Sequence, residues 1–358
     1  MMLKFRRRAH REEIPIPPFV AEGVVAVPLA KDALPERIVL VRLHALGDAA
    51  ITLPVIAGLR RALPASFIAV VTSREYMGLF EQLDGINDLF GIVSDGTKFQ
   101  RFKSVLDVAA MLPNIDLLLD LQRSRLSRLL GCLLRPKAAA SFDRFAPRSA
   151  LDRYLDAVHR VGLHQVRPRY HIDLNVSREP ATLPMNLRTG PEPLICLNPA
   201  GCWPTKNWPV EKYIALARKM VDAWNARIVL LGTGNVETGA AAIASALGAA
   251  AVDLVGRTTI SEAVAVVGRL DLMVSDDSGL MHMAWTQGVP TIAIFGASRS
   301  TWSRPCGEHT RTYGSEDLEC GACMRPECVR GDLHCLRRLS VEEVFHACGE
   351  LMARRCRF

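Results

Sequence analysis

The stretch VRLHALGDAAITLP, residues 41–54, runs an apolar segment into Gly47 and Asp48 and then into a helix-like run. In open α/β sheets ligands gather beyond the carboxyl ends of strands. A carboxylate at that point is a candidate general base; the competing reading is a helix-start aspartate favoured by the helix dipole. A second junction of the same kind is SDDSGLMHMA, residues 275–284. There Ser278, Gly279 and Leu280 would present backbone N–H groups at a helix start, which suits a diphosphate. Asp277 beside that anion suits sugar hydroxyls rather than phosphate. His282, one turn further on, either reaches the same place or packs against the sheet. In NPAGCWPTKNWP, residues 198–209, Lys206 is the only cation, set beside Trp203, Thr205 and Trp208. A lysine there can neutralise phosphate as a point charge; a solvated surface lysine is the alternative.

Two further motifs carry chemistry of other kinds. LLGTGNVETG, residues 230–239, supplies Gly232 and Gly234 of a G-x-G-x-x-G dinucleotide fingerprint, but Glu237 stands at the third glycine position. A nicotinamide-dependent oxidoreductase would use this loop, and the missing glycine counts against it; Gly232 stays a candidate for close approach to a nucleotide. CGACMRPECVRGDLHC contains Cys320, Cys323, Cys328 and Cys335 in a C-x2-C-x4-C-x6-C arrangement with His334 adjacent. Four thiolates so spaced can enclose a structural zinc or iron ion, and reduced, packed thiols are the other reading.

The elements that must position these residues alternate. Short apolar runs are separated by segments of helical period, the signature of parallel strands with crossover helices. The first series of strands is expected at 38–43, 67–72, 117–121 and 138–142, with a helix at 54–63. A second series is expected at 194–198, 227–231, 251–254, 272–275 and 291–295. Between them SREPATLPMNLRTGPEP, residues 177–193, is rich in proline and polar residues and reads as a linker. Ser340 followed by Glu343 makes a capping-box start for a helix through about Met352. The fold class is thus α/β, two Rossmann-like doubly wound domains facing a central cleft. The expected divisions are a basic extension at 1–35, one domain at 36–176, the linker, a second domain at 194–339 that includes the Cys-rich segment 320–335, and a C-terminal helix at 340–358.

The chain of 358 residues is long enough for two cores, and 49% hydrophobic with 23% charged residues is ordinary globular composition. No apolar run approaches the ~20 residues that span a bilayer, and the basic start lacks the apolar stretch an export signal needs. A cytoplasmic protein is expected. The formal charge of +7 favours acidic partners. Much of the excess is local: Lys4, Arg6, Arg7, Arg8 and Arg11 near the start, and Arg354, Arg355 and Arg357 at the end. These are solubilising tails or points of attraction to an anionic inner-membrane face. No aromatic-interleaved basic motif is present, so nucleic acid is not an expected partner. Ten cysteines in a cytoplasmic chain are expected to be mostly reduced.

Taken together, GDAAITLP, PTKNWP and SDDSGLMHMAWTQGVPTIAIFG resemble the ADP-heptose:lipopolysaccharide heptosyltransferases of glycosyltransferase family nine, over about residues 37–350. The resemblance implies the GT-B fold, with the acceptor on the N-terminal domain and ADP-heptose or a related nucleotide sugar on the C-terminal one. It implies inverting transfer of heptose to a lipopolysaccharide core or related lipid-linked surface glycan, with a protein or another glycan as the alternative acceptor. A member that only binds its sugar nucleotide would not need the base. By resemblance Asp48 is that base, Lys206 neutralises phosphate, Asp277 engages the donor sugar, and Ser278, Gly279 and Leu280 hold the diphosphate. No cofactor is then needed for catalysis. Some members carry two hydroxyl residues before the lysine loop. Here Gly201 and Cys202 stand in those places, which leaves Thr205 as the nearby hydroxyl.

Overall fold

The computed structural model describes residues 24–31, 33–170, 172, 187–188, 190–201 and 203–355. The N-terminal cluster Lys4 to Arg11, most of the expected linker, Cys202 and Arg357 lie outside the described residues.

The first half contains β1 (Ala26–Val27), β2 (Arg37–Val41), α1 (Leu46–Ala50), α2 (Leu53–Ala62), β3 (Phe67–Ser73), β4 (Asp88–Ile92), α3 (Lys98–Met111), β5 (Leu117–Asp120), α4 (Arg125–Leu134), β6 (Ala138–Ser141) and α5 (Ala150–Arg160). Its sheet runs β1-β6-β5-β2-β3-β4, parallel throughout except where β1 pairs antiparallel with β6. The second half contains β7 (Leu194–Asn198), α6 (Val210–Trp224), β8 (Arg227–Leu230), α7 (Glu237–Leu247), β9 (Ala251–Asp253), α8 (Ile260–Gly268), β10 (Leu272–Asp276), α9 (Gly279–Thr286), β11 (Thr291–Ile294), α10 (Ser300–Ser303), β12 (Thr310–Tyr313), α11 (His334–Arg337) and α12 (Val341–Arg355). Its sheet runs β12-β11-β10-β7-β8-β9, all parallel. These are two doubly wound sheets, as expected.

The unbroken apolar runs follow from burial on both faces of a parallel sheet. In β2, Ile38 and Leu40 join one hydrophobic cluster while Val39 and Val41 join another on the opposite face. Helix starts are pinned by their own side chains. Thr97 with Gln100 and Thr259 with Glu262 form capping boxes, and so do Ser340 and Glu343, as their spacing predicts.

Three strands were not expected. β1 lies inside the stretch assigned to the N-terminal extension, so part of that stretch is an edge of the first sheet. β4 and β12 are edge strands whose residues, DLFGI and TRTY, lack both a continuous apolar run and a clean alternation. β2 ends two residues earlier than expected, because the N–H of Leu43 bonds the Gln122 side chain at 2.9 Å instead of continuing the ladder.

The halves are joined by more than the connecting chain. One apolar cluster contains Ile51 and Leu79 from the first half together with Val264, Met283 and Trp285 from the second. Gln82 Nε2 donates to the carbonyl of Ser261 at 2.6 Å.

Gly58, inside α2, is placed by the chain that returns over it. A Cβ there would lie 2.1 Å from the carbonyl oxygen of Arg167, and Arg169 N–H bonds the Pro54 carbonyl at 3.0 Å. In an open helix Gly→Ala stabilises by about 0.5–1 kcal/mol. Gly58→Ala is instead expected to destabilise by about 1–3 kcal/mol; a denaturation curve shifted toward greater stability would show that the returning chain can yield.

Candidate active site

Strand order reverses between β2 and β5 in the first sheet and between β7 and β10 in the second. Those switch points are where open α/β sheets bind ligands. Asp48 follows β2, Lys206 follows β7, and Asp277 to His282 follow β10, so the three segments leave their sheets at the same kind of place. They meet. One cavity of about 530 Å³ is lined by Gly47 and Asp48 from the first half and by Lys206, Gly232, Asp277, Ser278, Gly279, Leu280 and His282 from the second.

The meeting depends on two glycines. A Cβ on Gly47 would sit 2.7 Å from Cδ2 of His282, and one on Gly279 would sit 3.1 Å from the Leu46 side chain. Helices α1 and α9 therefore pack end against end across the cleft, with Asp48 one residue beyond the contact.

Asp48 is held by a residue that sequence inspection passed over. The Nη2 of Arg42, itself buried, lies 2.5 Å from Asp48 Oδ2. Its Nη1 donates to the Leu121 carbonyl, and its guanidinium carbon is 5.5 Å from the Tyr154 ring centroid. One carboxylate oxygen is thus fixed while the Asp48 side chain remains 44% exposed to the cleft. The signal was present in VRLH, since a charged residue directly after a buried strand needs a partner.

Lys206 Nζ forms an ion pair with Asp277 Oδ2 at 2.7 Å, and both side chains are almost covered. The lysine also lies 5.2 Å from the Trp203 ring centroid. The loop that carries it is clamped from the far side. The Thr205 carbonyl accepts from Ala297 N–H at 2.9 Å and stands where a Cβ on Gly296 would come within 2.2 Å. Trp208 N–H donates to Asp276 Oδ1 at 3.0 Å.

Thr205 does not join the cavity. Its buried hydroxyl donates to the Arg325 carbonyl at 2.6 Å, so it braces the lysine loop against the Cys-rich segment. Adjacent Asp276 and Asp277 point to opposite sides of their strand's end. Burial pushes the Asp276 carboxyl well above the usual range, with the Trp208 and Tyr213 hydrogen bonds opposing it. Asp277 lines the cleft instead.

Ser278 caps α9 by accepting from Met281 N–H at 3.2 Å, and it receives the Asn198 amide at 2.7 Å. The first two helical residues, Gly279 and Leu280, keep N–H groups that the helix does not use. Gly232 has φ of +151°, and a Cβ there would meet the Val236 side chain at 2.3 Å. At Gly234 an added Cβ would meet nothing, so the second glycine of the incomplete fingerprint serves no close approach within the chain.

His282 is oriented by Trp285, whose Nε1–H donates to His282 Nδ1 at 3.0 Å. Indole nitrogen only donates, so Nδ1 accepts and the neutral ring carries its proton on Nε2. Burial lowers the imidazole pKa; Asp277 and Asp48 oppose that shift and Lys206 adds to it. All three charges are therefore felt at one ring.

In this structure the four cysteines of the Cys-rich segment are not gathered into a metal-binding group. Among the described residues no group of three or more His, Cys, Asp or Glu side chains is arranged to hold a metal ion, and Cys320, Cys323, Cys328 and Cys335 are free thiols. Cys335 lies in α11 and packs as a small apolar side chain against the second core. The segment's visible work is bracing: Ala322 N–H donates at 3.0 Å to Ser315 Oγ, which in turn donates to the Gly296 carbonyl at 2.6 Å, and Met324 N–H bonds the Ala297 carbonyl at 2.7 Å.

With this geometry in view, the chain was compared with known proteins. The family model of glycosyltransferase family 9 (heptosyltransferase) matches residues 142–334. Lipooligosaccharide heptosyltransferase 2 of Campylobacter jejuni is 23% identical over 265 residues, 71% of this chain and 81% of that protein. A glycosyl transferase family 9 structure from Veillonella parvula superposes with a TM-score of 0.74 at 22% identity, covering 92% of this chain and 99% of the other. The Escherichia coli heptosyltransferase WaaC with ADP does so with a TM-score of 0.67 at 18% identity, covering 88% and 99%.

The buried histidine has a consequence for stability. The folded state keeps His282 neutral, whereas the unfolded chain protonates it below its ordinary pKa of 6.5. The unfolded state then binds more protons on the acid side, and stability falls as pH drops through that value. His282→Gln is expected to flatten this loss, read as a smaller difference in urea midpoint between about pH 7.5 and about pH 5.5. An unchanged difference would mean that the ring titrates normally in the folded protein.

Proposed function

This chain belongs to glycosyltransferase family 9 (heptosyltransferase), and from that premise we propose that it transfers heptose from ADP-heptose to the core of a lipid-linked surface glycan, with inversion at the anomeric carbon. The fold is GT-B and the chain is a glycosyltransferase. What carries the finer reading is the single cavity in which Asp48 of one half faces Lys206, Asp277 and the start of α9 in the other. Relatives such as the Campylobacter jejuni enzyme, named for lipooligosaccharide, support the acceptor class, and the ADP-bound Escherichia coli neighbour supports the nucleotide.

In this reading the diphosphate lies against the Gly279 and Leu280 amides, with Lys206 beside it, and Asp277 engages hydroxyls of the sugar. Nε2–H of His282 is a further donor aimed at the cleft. The acceptor hydroxyl oxygen attacks the anomeric carbon as the bond from that carbon to the phosphate oxygen breaks. The bonding electrons leave with ADP, and the acceptor's proton passes to Asp48. Arg42 positions the carboxylate. The leaving group is already an anion, so fixed N–H dipoles and one lysine stabilise it without a second acid, and no cofactor enters the scheme.

Ser278 serves mainly as the cap of α9, and Thr205 as a brace for the lysine loop. We assign residues 36–176 to the acceptor and 194–339 to the nucleotide sugar. We place the enzyme in the cytoplasm at the inner face of the membrane where lipid-linked acceptors are made. No helix among the described residues is long and apolar enough to cross a membrane.

Two substitutions separate the roles. Lys206→Ala is expected to weaken ADP binding by about 1.5–3 kcal/mol, roughly tenfold to a hundredfold, in calorimetric titration; an unchanged dissociation constant places the lysine outside the donor site. Asp48→Asn is expected to lower turnover by about 10²–10⁴-fold while ADP binding stays near wild type. Loss of both together would show that Asp48 supports the donor site and is not the base.

A further inference from the structure

Helix α3 has two apolar faces. Val105 and Val108, followed by Leu112 just beyond its end, pack onto the first sheet. A second set, Phe99, Phe102 and Leu106, follows i, i+3, i+7 spacing and so lines one side of the same helix. These three are 73%, 47% and 39% exposed, and Phe99 is the most exposed large apolar side chain among the described residues. A surface helix of a soluble domain ordinarily shows one apolar stripe and a polar remainder. Two phenylalanines and a leucine in line on the outer side mark a contact surface.

The surroundings of the stripe are basic. Lys98 and Lys103 are exposed beside it, Lys103 in an ion pair with Asp107 at 2.9 Å, and Arg125 and Arg128 are exposed on α4, which packs against α3. From residue 98 to residue 137 the chain carries eight basic and three acidic residues, a local excess of positive charge. On the other side of α4 an open groove of about 780 Å³ continues the face. Its floor is Leu118, Ala139 and Ala140, and Arg128, Arg144 and Phe145 stand at its opening.

We infer that the outer face of α3 docks on an anionic lipid bilayer, with Phe99, Phe102 and Leu106 in the headgroup–acyl boundary and Lys98 and Lys103 against lipid phosphates. Aromatic and aliphatic residues flanked by lysine and arginine are the pattern of helices that lie in the membrane interface. A protein partner would ordinarily be met by a set of polar groups among the apolar ones, and the stripe has none. The inference goes beyond the transfer reading and rests on it for one point, that the acceptor is lipid-linked. It also moves membrane contact from the basic N-terminus to a folded surface of the acceptor-side domain.

The test is co-sedimentation of the full chain with vesicles containing phosphatidylglycerol, with vesicles of phosphatidylcholine alone as the comparison. The wild type is expected to partition onto the anionic vesicles and to be released by high salt. Phe99→Ser combined with Phe102→Ser is expected to lower that partition by about tenfold or more. Lys98→Glu with Lys103→Glu should do the same without touching the apolar stripe. None of these residues lines the cavity, so ADP binding and transfer to a delipidated, soluble acceptor are expected to stay at wild-type levels. Unchanged partition of the phenylalanine variant would overturn the inference and return membrane contact to the N-terminal cluster. A wild-type dimer that the phenylalanine variant converts to monomer in sedimentation velocity would overturn it in favour of self-association. Normal vesicle binding with no transfer to any acceptor would leave the docking face standing and sink the transfer reading alone.

Discussion

The active geometry hangs on close approach of two helix starts. Asp48 belongs to one half and the start of α9 to the other, and they share a cavity only because α1 and α9 touch. At Gly47 the space for a side chain is already taken by the ring of His282. A methyl group there would have to push the two sheets' edges apart. The requirement explains why the aspartate of the opening motif is preceded by glycine: the residue before the carboxylate sets how near the two halves can come.

Around that contact, the charged side chains of the cleft are tied to buried groups at the strand ends. Arg42 is buried and its partner Asp48 is half exposed. Asp276 is wholly buried and accepts a backbone N–H, while its neighbour Asp277 holds Lys206 in the cleft. The buried groups make the tie: Arg42 bonds the Leu121 carbonyl, and Asp276, next to Asp277, bonds the Trp208 N–H of the lysine loop. Reactive groups therefore inherit the rigidity of the sheets. The Cys-rich segment extends the same scheme, since its backbone at Arg325 and Met324 supports the lysine loop and the end of β11 from behind.

Much of this was legible in the residues. The two series of apolar runs give two parallel sheets because a strand buried on both faces leaves a continuous signature. The Ser340–Glu343 box marks a helix start because its two side chains satisfy donors that nothing else would. Edge strands escaped notice for the converse reason. β4 and β12 are covered unevenly, so DLFGI and TRTY show neither period, and β1 is two residues whose place depends on a partner more than a hundred residues away. Thr205 illustrates a different limit. Its position next to Lys206 suggested a phosphate contact, but which way a loop hydroxyl turns is decided by a carbonyl 120 residues further along. Arg42 was hidden in plain view, because its importance lies in what it touches and not in its spacing.

The apolar cluster shared by the two halves also governs how the molecule can move. Ile51 and Leu79 on one side and Val264, Met283 and Trp285 on the other form a seam behind the cleft. Separating the halves bodily would expose that seam to water, a cost that grows with every square ångström uncovered. Sliding and rotation about it leave the contact covered. Displacements that keep the seam covered are thus the cheap ones, and they would carry Asp48 and the start of α9 about one common line.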